Sequence, residues 1–253
     1  MAHWTGTPAY TQIANDYRTK IIDGTLPAGA KLPSESELMS QYGVSRIVAR
    51  QAVGVLRNEG LVDSHGGKGS FVRPRQRVER LARDRYRRRK PTGEFADDAR
   101  RAGASADIEA GSTRTTATDD IAARLKIVPN APVMRTGYRF LANGRPIQLS
   151  TSYEPLALTG GTDVERPEEG PLAGLGVITR MDGIGIRVTE VVESVATRVP
   201  LPREVEALDI PLGVHVLTIE RTFLADDLPV ETCDIVVPGD RYGLTYRIPV
   251  VDE

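Results

Sequence analysis

A chain of 253 residues has room for two ordinary domains, and its 40% hydrophobic and 26% charged residues place it among globular proteins that bury real cores. The net charge of −1 hides two unlike parts: residues 1–91 hold 17 Lys and Arg against 8 Asp and Glu, and residues 92–253 hold 16 against 26, so +9 precedes −10. The single cysteine, Cys233, excludes an intrachain disulfide, and neither an apolar core in Met1–Pro8 nor a run of about 18 apolar residues marks the chain for export or a membrane.

The first predicted element is a helix over residues 8–24. Thr7 is its expected cap, Pro8 suits the first helical position, and Gly24 closes it. Tyr10, Ile13, Ala14, Tyr17 and Ile21 recur at helical spacing and form its buried stripe. The connector Leu26-Pro27-Ala28-Gly29 leads to Lys31 and a second helix. Ser34 is a good N-cap there, Glu37 three residues later completes a capping box, and Gly43 ends the helix.

Ser45 caps a third helix whose Ala49, Ala52, Val53 and Leu56 fall on one packing side. At roughly 100° per residue, Arg46, Arg50 and Arg57 lie within about 40° of one another on a neighbouring face. A guanidinium is a planar fork of donors that suits guanine O6 and N7 or a phosphate. On their own the arginines are equally a solvated basic face. The segment after the helix tips the balance. Leu61–Ser64 and Ser70–Arg73 flank His65-Gly66-Gly67-Lys68-Gly69, a hairpin with a basic, glycine-rich tip that can approach a sugar-phosphate wall closely. Helix, turn, arginine-bearing helix and basic hairpin in this order make a winged helix-turn-helix. The charged run from Pro74 to Pro91 reads as a solvated interdomain linker, with a supplementary role on phosphate.

The acidic part contains a weak internal repeat. Displacing the sequence by 83 residues aligns 125–147 with 208–230, with Leu125/Leu208, Ile127/Ile210, Val133/Val216, Phe140/Phe223 and Pro146/Pro229 identical. Each copy predicts a short helix (Asp120–Lys126 and Arg203–Leu208), a strand, a polar turn and a returning strand. A further strand is expected from Ile186 to Val199. Two helix-plus-hairpin units sharing one antiparallel sheet make an α+β domain, with a cleft between the halves as the place for a small molecule. Duplication for packing alone is the competing explanation.

Together the motifs resemble the GntR family of bacterial transcription regulators. Leu32-Pro33-Ser34-Glu35-Ser36-Glu37-Leu38, Gly43-Val44-Ser45-Arg46, Arg50-Gln51-Ala52, Glu59-Gly60 and Gly67-Lys68-Gly69-Ser70-Phe71-Val72 carry the likeness over roughly residues 8–73. The remainder is similar to the HutC-type (UTRA) effector domain, a chorismate-lyase-like α+β fold that binds small ligands and dimerises. Phe140–Pro146, Tyr153-Glu154-Pro155, Pro229-Val230-Glu231 and Asp240-Arg241-Tyr242 carry that weaker resemblance. Two departures stand out. Ser36 occupies a position where many relatives have arginine, and Ile47-Val48-Ala49 replaces a commoner run, with Ile47 available to a thymine methyl. In the effector domain Tyr138 and Phe140 stand where sugar-phosphate-responsive relatives show Arg-x-Arg, with Arg139 on the opposite strand face. A Tyr and a Phe give phosphate no charge-assisted bonds, so the resemblance with these departures implies a flatter, more apolar effector or none.

The chain is thus expected to hold a DNA-binding domain at 1–73, a basic linker at 74–91 and a ligand-binding, dimerising domain at 92–253. The expected function is a cytoplasmic, nucleoid-associated, homodimeric repressor that releases a palindromic operator when a small effector binds. Lys31, Ser34, Ser36, Ser45, Arg46, Ile47, Arg50, His65, Gly66, Gly67 and Lys68 are its expected DNA contacts. Tyr138, Phe140, Ser150, Tyr153, Glu231 and Tyr242 are the expected ligand site. No metal spacing and no cofactor motif is present, and His3, His65 and His215 have no partner pattern. A ligand-independent regulator and a lyase-like enzyme are the alternatives.

Overall fold

The structure, a computed structural model, describes residues 6–74, 79–82, 105–211 and 213–245. It divides into two compact units, the first over Met1–Arg77 and Ile210–Val214 and the second over Val78–Asp209 and His215–Glu253.

The first unit is built from α1 (Ala9–Ile22), α2 (Glu35–Tyr42), α3 (Arg46–Asn58), β1 (Val62–His65) and β2 (Gly69–Val72). Pro8 itself takes the N-cap position of α1, and no side chain caps it. The expected Thr7 cap is therefore corrected: the Thr7 carbonyl instead accepts the Gln12 side-chain amide at 2.8 Å. The Ser34 capping box is present, with Ser34 Oγ accepting from the Glu37 amide at 3.3 Å and Glu37 Oε2 accepting from the Ser34 amide at 2.7 Å. Gly43 ends α2 in the left-handed region at φ 65°, where a Cβ would be strained, and Ser45 Oγ caps α3 through the Val48 amide. Ile13, Ala14, Tyr17 and Ile21 of α1 pack with Leu38, Ala49, Ala52, Leu56, Val62 and Val72 in one core. The hairpin pairs Val62 with Val72 and His65 with Gly69. Leu32 N donates to the Ser70 carbonyl at 2.8 Å and Val72 N to the Ala30 carbonyl at 2.8 Å, so Lys31 bridges Phe71 at the edge of the wing.

The second unit holds one six-stranded antiparallel sheet in the order β4-β5-β6-β9-β8-β7. Its elements are β4 (Ala106–Thr116), α4 (Asp119–Leu125), β5 (Pro132–Ala142), β6 (Arg145–Pro155), α5 (Leu156–Thr159), α6 (Val177–Gly183), β7 (Glu190–Arg198), α7 (Pro202–Leu208), β8 (Val216–Ala225) and β9 (Leu228–Pro238). A short β10 (Tyr242–Thr245) pairs in parallel with β3 (Glu79–Ala82), so four residues of the stretch read as a linker are a strand.

The repeat is larger than the sequence suggests. The 83-residue displacement carries α4 onto α7 and also β4 onto β7, the former a strand that the sequence pattern does not predict. Each unit is strand, helix, hairpin. Asp107 pairs with Leu141 as Glu190 pairs with Leu224, and both hairpins slip register at the same place, between Phe140 and Leu141 and between Phe223 and Leu224. The left-handed residues repeat as well: Lys126 and Asp209 end the two helices, and Asn143 and Asp226 turn the two hairpins. At the centre Thr151 pairs with Asp234, and these two are themselves repeat equivalents, so the pseudo-two-fold passes between them.

The alternation of side chains assigns the two faces. α4 covers one of them: Tyr153 packs against Ala117, Ile121, Ala122 and Leu125, and Arg124 meets Asp234 at 2.8 Å. α7 reaches the same face, where Ala207 O accepts from Arg139 Nε at 3.0 Å. The opposite face, with Tyr138, Ser150, Ser152, Glu154, Glu231 and Cys233, is covered at one end by α6 and at the other by β10, whose Tyr242 and Leu244 pack on Ile219, Ile235 and Val237.

Candidate DNA-reading surface and effector site

The residues expected to meet DNA lie on α2, α3 and the wing, and Arg46, Ile47, Arg50, Gly66, Gly67 and Lys68 among them are exposed. Their backbone positions come from local chemistry: Ser34 and Ser45 are spent on the caps that start α2 and α3, and Arg46 and Arg50 follow one turn apart on the free side of α3. Ile47 between them is 71% exposed, an unusual place for an apolar side chain unless a partner covers it. Lys68 stands at the wing tip, where its amide closes the turn on the His65 carbonyl at 3.0 Å. Lys31 lies at the root of the wing, its Nζ 6.0 Å from the centre of the Phe71 ring. The Ser36 hydroxyl is 3.2 Å from Ser34 Oγ.

One residue of the Leu32–Leu38 motif makes a contact here that its place in the sequence does not show. Glu35 takes Arg50 in a two-point fork, Nε to Oε1 at 2.9 Å and Nη2 to Oε2 at 3.2 Å, and stands 4.0 Å from Arg46 Nε. The bond from Arg50 holds the Glu35 carboxyl below the usual carboxylate range. Glu35 thus holds Arg50 and lies beside Arg46 on the exposed side of α3. Fifteen residues of sequence separate Glu35 from Arg50, so only the turn between α2 and α3 brings them together. Loss of Lys68 is expected to act differently from loss of an arginine. Lys68→Ala should weaken binding to all sequences alike and flatten the slope of log K against log salt by about 0.9, one phosphate's worth; an unchanged slope in salt titrations removes Lys68 from the interface.

In the second unit the expected ligand residues do not all meet. Tyr138 and Phe140 share a face and stack at 5.8 Å and 24°. Ser150 is buried beside Cys233, Oγ to Sγ 3.1 Å, and Glu231 is buried on the same face. Tyr153 does not join them: it lies an odd number of residues from Ser150, faces the other way, and is core beneath α4. Tyr242 is on the right face but packed among Ile219, Cys233 and Val237.

The structure adds a buried arginine to this face. Arg180 of α6, 2% exposed, donates from Nη2 to Glu154 Oε1 at 2.5 Å and from Nη1 to Oε2 at 3.2 Å, and stands 3.4 Å from Glu231 Oε2. Burial works against its charge, but Glu154 and then Glu231 more than offset this and raise its pKa. Glu231 goes the other way: burial and the neighbouring Glu154 push its carboxyl well above the usual range, against Arg180 and Arg221. Burial likewise raises the Tyr138 phenol and lifts the Cys233 thiol to about 12, so neither ionises near neutrality. Arg180 Nε and Ser152 Oγ, both buried, close no hydrogen bond, although the Tyr138 phenol leans toward Ser152. An open depression on the other face, at Gly137 between Arg139, Leu149 and Thr151, has its arginine already paired with Glu109 at 3.3 Å. The polar centre around Glu231 is the stronger site, because its buried polar groups are left incomplete. Among the described residues no group of three or more His, Cys, Asp or Glu is placed to hold a metal, and no described helix is long and apolar enough to cross a membrane.

Comparison with known proteins adds to this geometry. Residues 9–72 match bacterial regulatory proteins of the gntR family, and residues 110–243 match the UTRA domain. A solved GntR-family transcriptional regulator is 43% identical, covers 97% of this chain and 99% of its own, and superposes with a TM-score of 0.79. The transcriptional repressor NagR of Bacillus subtilis is 29% identical over 242 residues, 94% of each chain. The structure of PhnF from Mycobacterium smegmatis, 22% identical with a TM-score of 0.58 over 94% of this chain and 100% of its own, shares the fold.

Proposed function

Because the chain belongs to the GntR family of bacterial regulatory proteins and carries the UTRA domain of its HutC branch, we propose that it is an effector-responsive homodimeric repressor of a palindromic operator. In this reading residues 1–73 bind DNA, 74–91 form a basic linker and 92–253 dimerise and take the effector. Its relatives are transcriptional regulators rather than enzymes, so the lyase-like alternative falls away. The observation that carries the proposal is the prealigned pair Arg46 and Arg50, exposed on α3 beside a basic wing, in a chain that matches a repressor over nearly its whole length. Repression is supported by that repressor's name. Responsiveness is supported by the incomplete polar centre at Glu231, and dimerisation by the two-fold logic of helix-turn-helix operators.

A second reading keeps the DNA binding and drops the effector. It is favoured by one specific feature: Arg180 of this same chain already fills the space between Glu154 and Glu231. Sedimentation and footprinting separate the two. Full-length protein at micromolar concentration should sediment as a dimer and protect two inverted half-sites upstream of its own gene. A monomer, or protection of a single half-site, overturns the dimeric reading; a dimer that no small molecule removes from its operator supports the ligand-independent one.

A further inference from the structure

The two repeats end in equivalent strands, β4 and β7, at opposite edges of the sheet, and the two edges are finished differently. The β4 edge is engaged by its own chain. The Ser112 amide donates to Glu168 Oε1 at 2.8 Å, and Arg114 Nε donates to Glu165 Oε1 at 2.8 Å, so part of the segment after α5 lies along it. β7 has β8 as its one strand neighbour among the described residues, in a register unbroken from Glu190–Leu224 to Arg198–Val216. It carries no proline, no lysine and no bulge, the usual guards of an edge strand. Val192 is 48% exposed and Val195 44%, and they lie on opposite faces of the strand.

The charges of β7 are self-complementary. Glu190 opens the strand and Arg198 closes it, on the face that carries α7. Glu204 holds the Arg198 guanidinium through Nη1 and Nη2, both at 2.7 Å, yet the Arg198 side chain stays 39% exposed. A two-fold axis at an antiparallel edge stands perpendicular to the sheet, so one residue of the strand meets its own copy. An axis at Glu193 sets two carboxylates opposite one another, which is unfavourable. An axis at Val195 leaves Glu190 facing a residue beyond the strand. An axis at Ser194 sets Glu190 against Arg198 of the second copy, twice, and Val192 against its Ala196.

We propose that β7 is the edge through which two copies of this chain join, antiparallel and centred on Ser194, so that two six-stranded sheets become one. This rests on the homodimeric reading above and names its interface. Pairing β7 with β4 of another copy would be head-to-tail and would not close on itself, whereas β7 on β7 closes as a dimer.

The test uses full-length protein. Residues directly opposite in an antiparallel pair lie about 4.5–5.5 Å apart at Cα, within reach of a disulfide. Ser194→Cys should therefore cross-link two chains under copper phenanthroline, while the parent, whose one cysteine is buried, should not. Gly111→Cys, the equivalent position on β4, should stay uncross-linked. Glu190→Arg reverses a charge that acts twice in the interface, so dimerisation in sedimentation runs should weaken at least about tenfold with an unchanged melting temperature. Glu190→Arg with Arg198→Glu should restore it; should that double variant fail to fold, cross-linking through Ser194→Cys decides alone. A monomeric parent at micromolar concentration overturns the homodimeric reading and this edge with it. A dimeric parent in which Ser194→Cys does not cross-link, or Gly111→Cys does so instead, overturns the edge and leaves the homodimer standing. A thiol introduced by Ser194→Cys that neither cross-links nor reacts with maleimide marks an edge covered by another segment of this chain, and overturns the proposal as well.

Discussion

Replacing Arg180 by Met is expected to lower the folding stability by about 3–5 kcal/mol, the usual penalty for removing one partner of a buried ion pair. Arg180 and Glu154 are both almost wholly inside, at 2% and 1% exposure. Without the guanidinium, Glu154 and Glu231 face one another in a low-dielectric interior, and both must hold protons. The loss is large beside the roughly 5–15 kcal/mol that holds an ordinary domain together. Adding Glu154→Gln should return part of it, because the double variant leaves no unpaired charge except Glu231, which can stay neutral. Urea denaturation of the single and double variants measures both. Equal stability of parent and Arg180→Met would mean that the pair is open in solution.

The second large effect belongs to α3. Arg46→Ala should weaken operator binding by about 1–3 kcal/mol, the discrimination carried by an arginine bidentate to guanine, and relax the preference at one base pair of each half-site. Arg50→Ala should behave alike. Glu35→Gln is the informative companion. With its charge gone, Arg46 and Arg50 lose their aligning partner, so binding to unrelated DNA should rise while the ratio of specific to non-specific affinity falls. Binding titrations on operator and scrambled duplexes give both quantities. Unchanged operator affinity in Arg46→Ala takes that residue out of the interface; an unchanged ratio in Glu35→Gln leaves the fork without a role in reading.

Much of this protein is legible in its sequence, and the reason is local. A capping box, an N-cap serine, a left-handed glycine and the spacing of Ala49, Ala52 and Leu56 act within a few residues, so α2, α3 and the hairpin at Gly66-Gly67-Lys68 follow from short-range rules. The hairpins of the effector domain are visible because their turns need Asn143-Gly144 and Asp226-Asp227, residues that tolerate the left-handed region. The Thr7 cap fails for an equally local reason: proline at position 8 takes the extended backbone that a cap requires.

Sites are another matter. β4 leaves little trace in the sequence because Ala106–Thr116 is mostly exposed at a sheet edge and lacks the apolar alternation of a half-buried strand. Sequence proximity groups Tyr153 with Ser150, although the two-residue period of a strand puts Ser152 and Glu154 beside Ser150 and turns Tyr153 to the far face. Glu35 needs the helix-turn-helix bend to reach Arg50. Arg180 lies in the segment between the repeats, outside any motif, and nothing local distinguishes it from a solvated arginine. Sequence determines which elements form, because backbone hydrogen bonding and side-chain period act over a few residues. Which charges end up sharing one buried volume is decided only when β6, β9 and α6 close on each other, because desolvation and ion pairing depend on neighbours that are 26 and 51 residues from Arg180 along the chain.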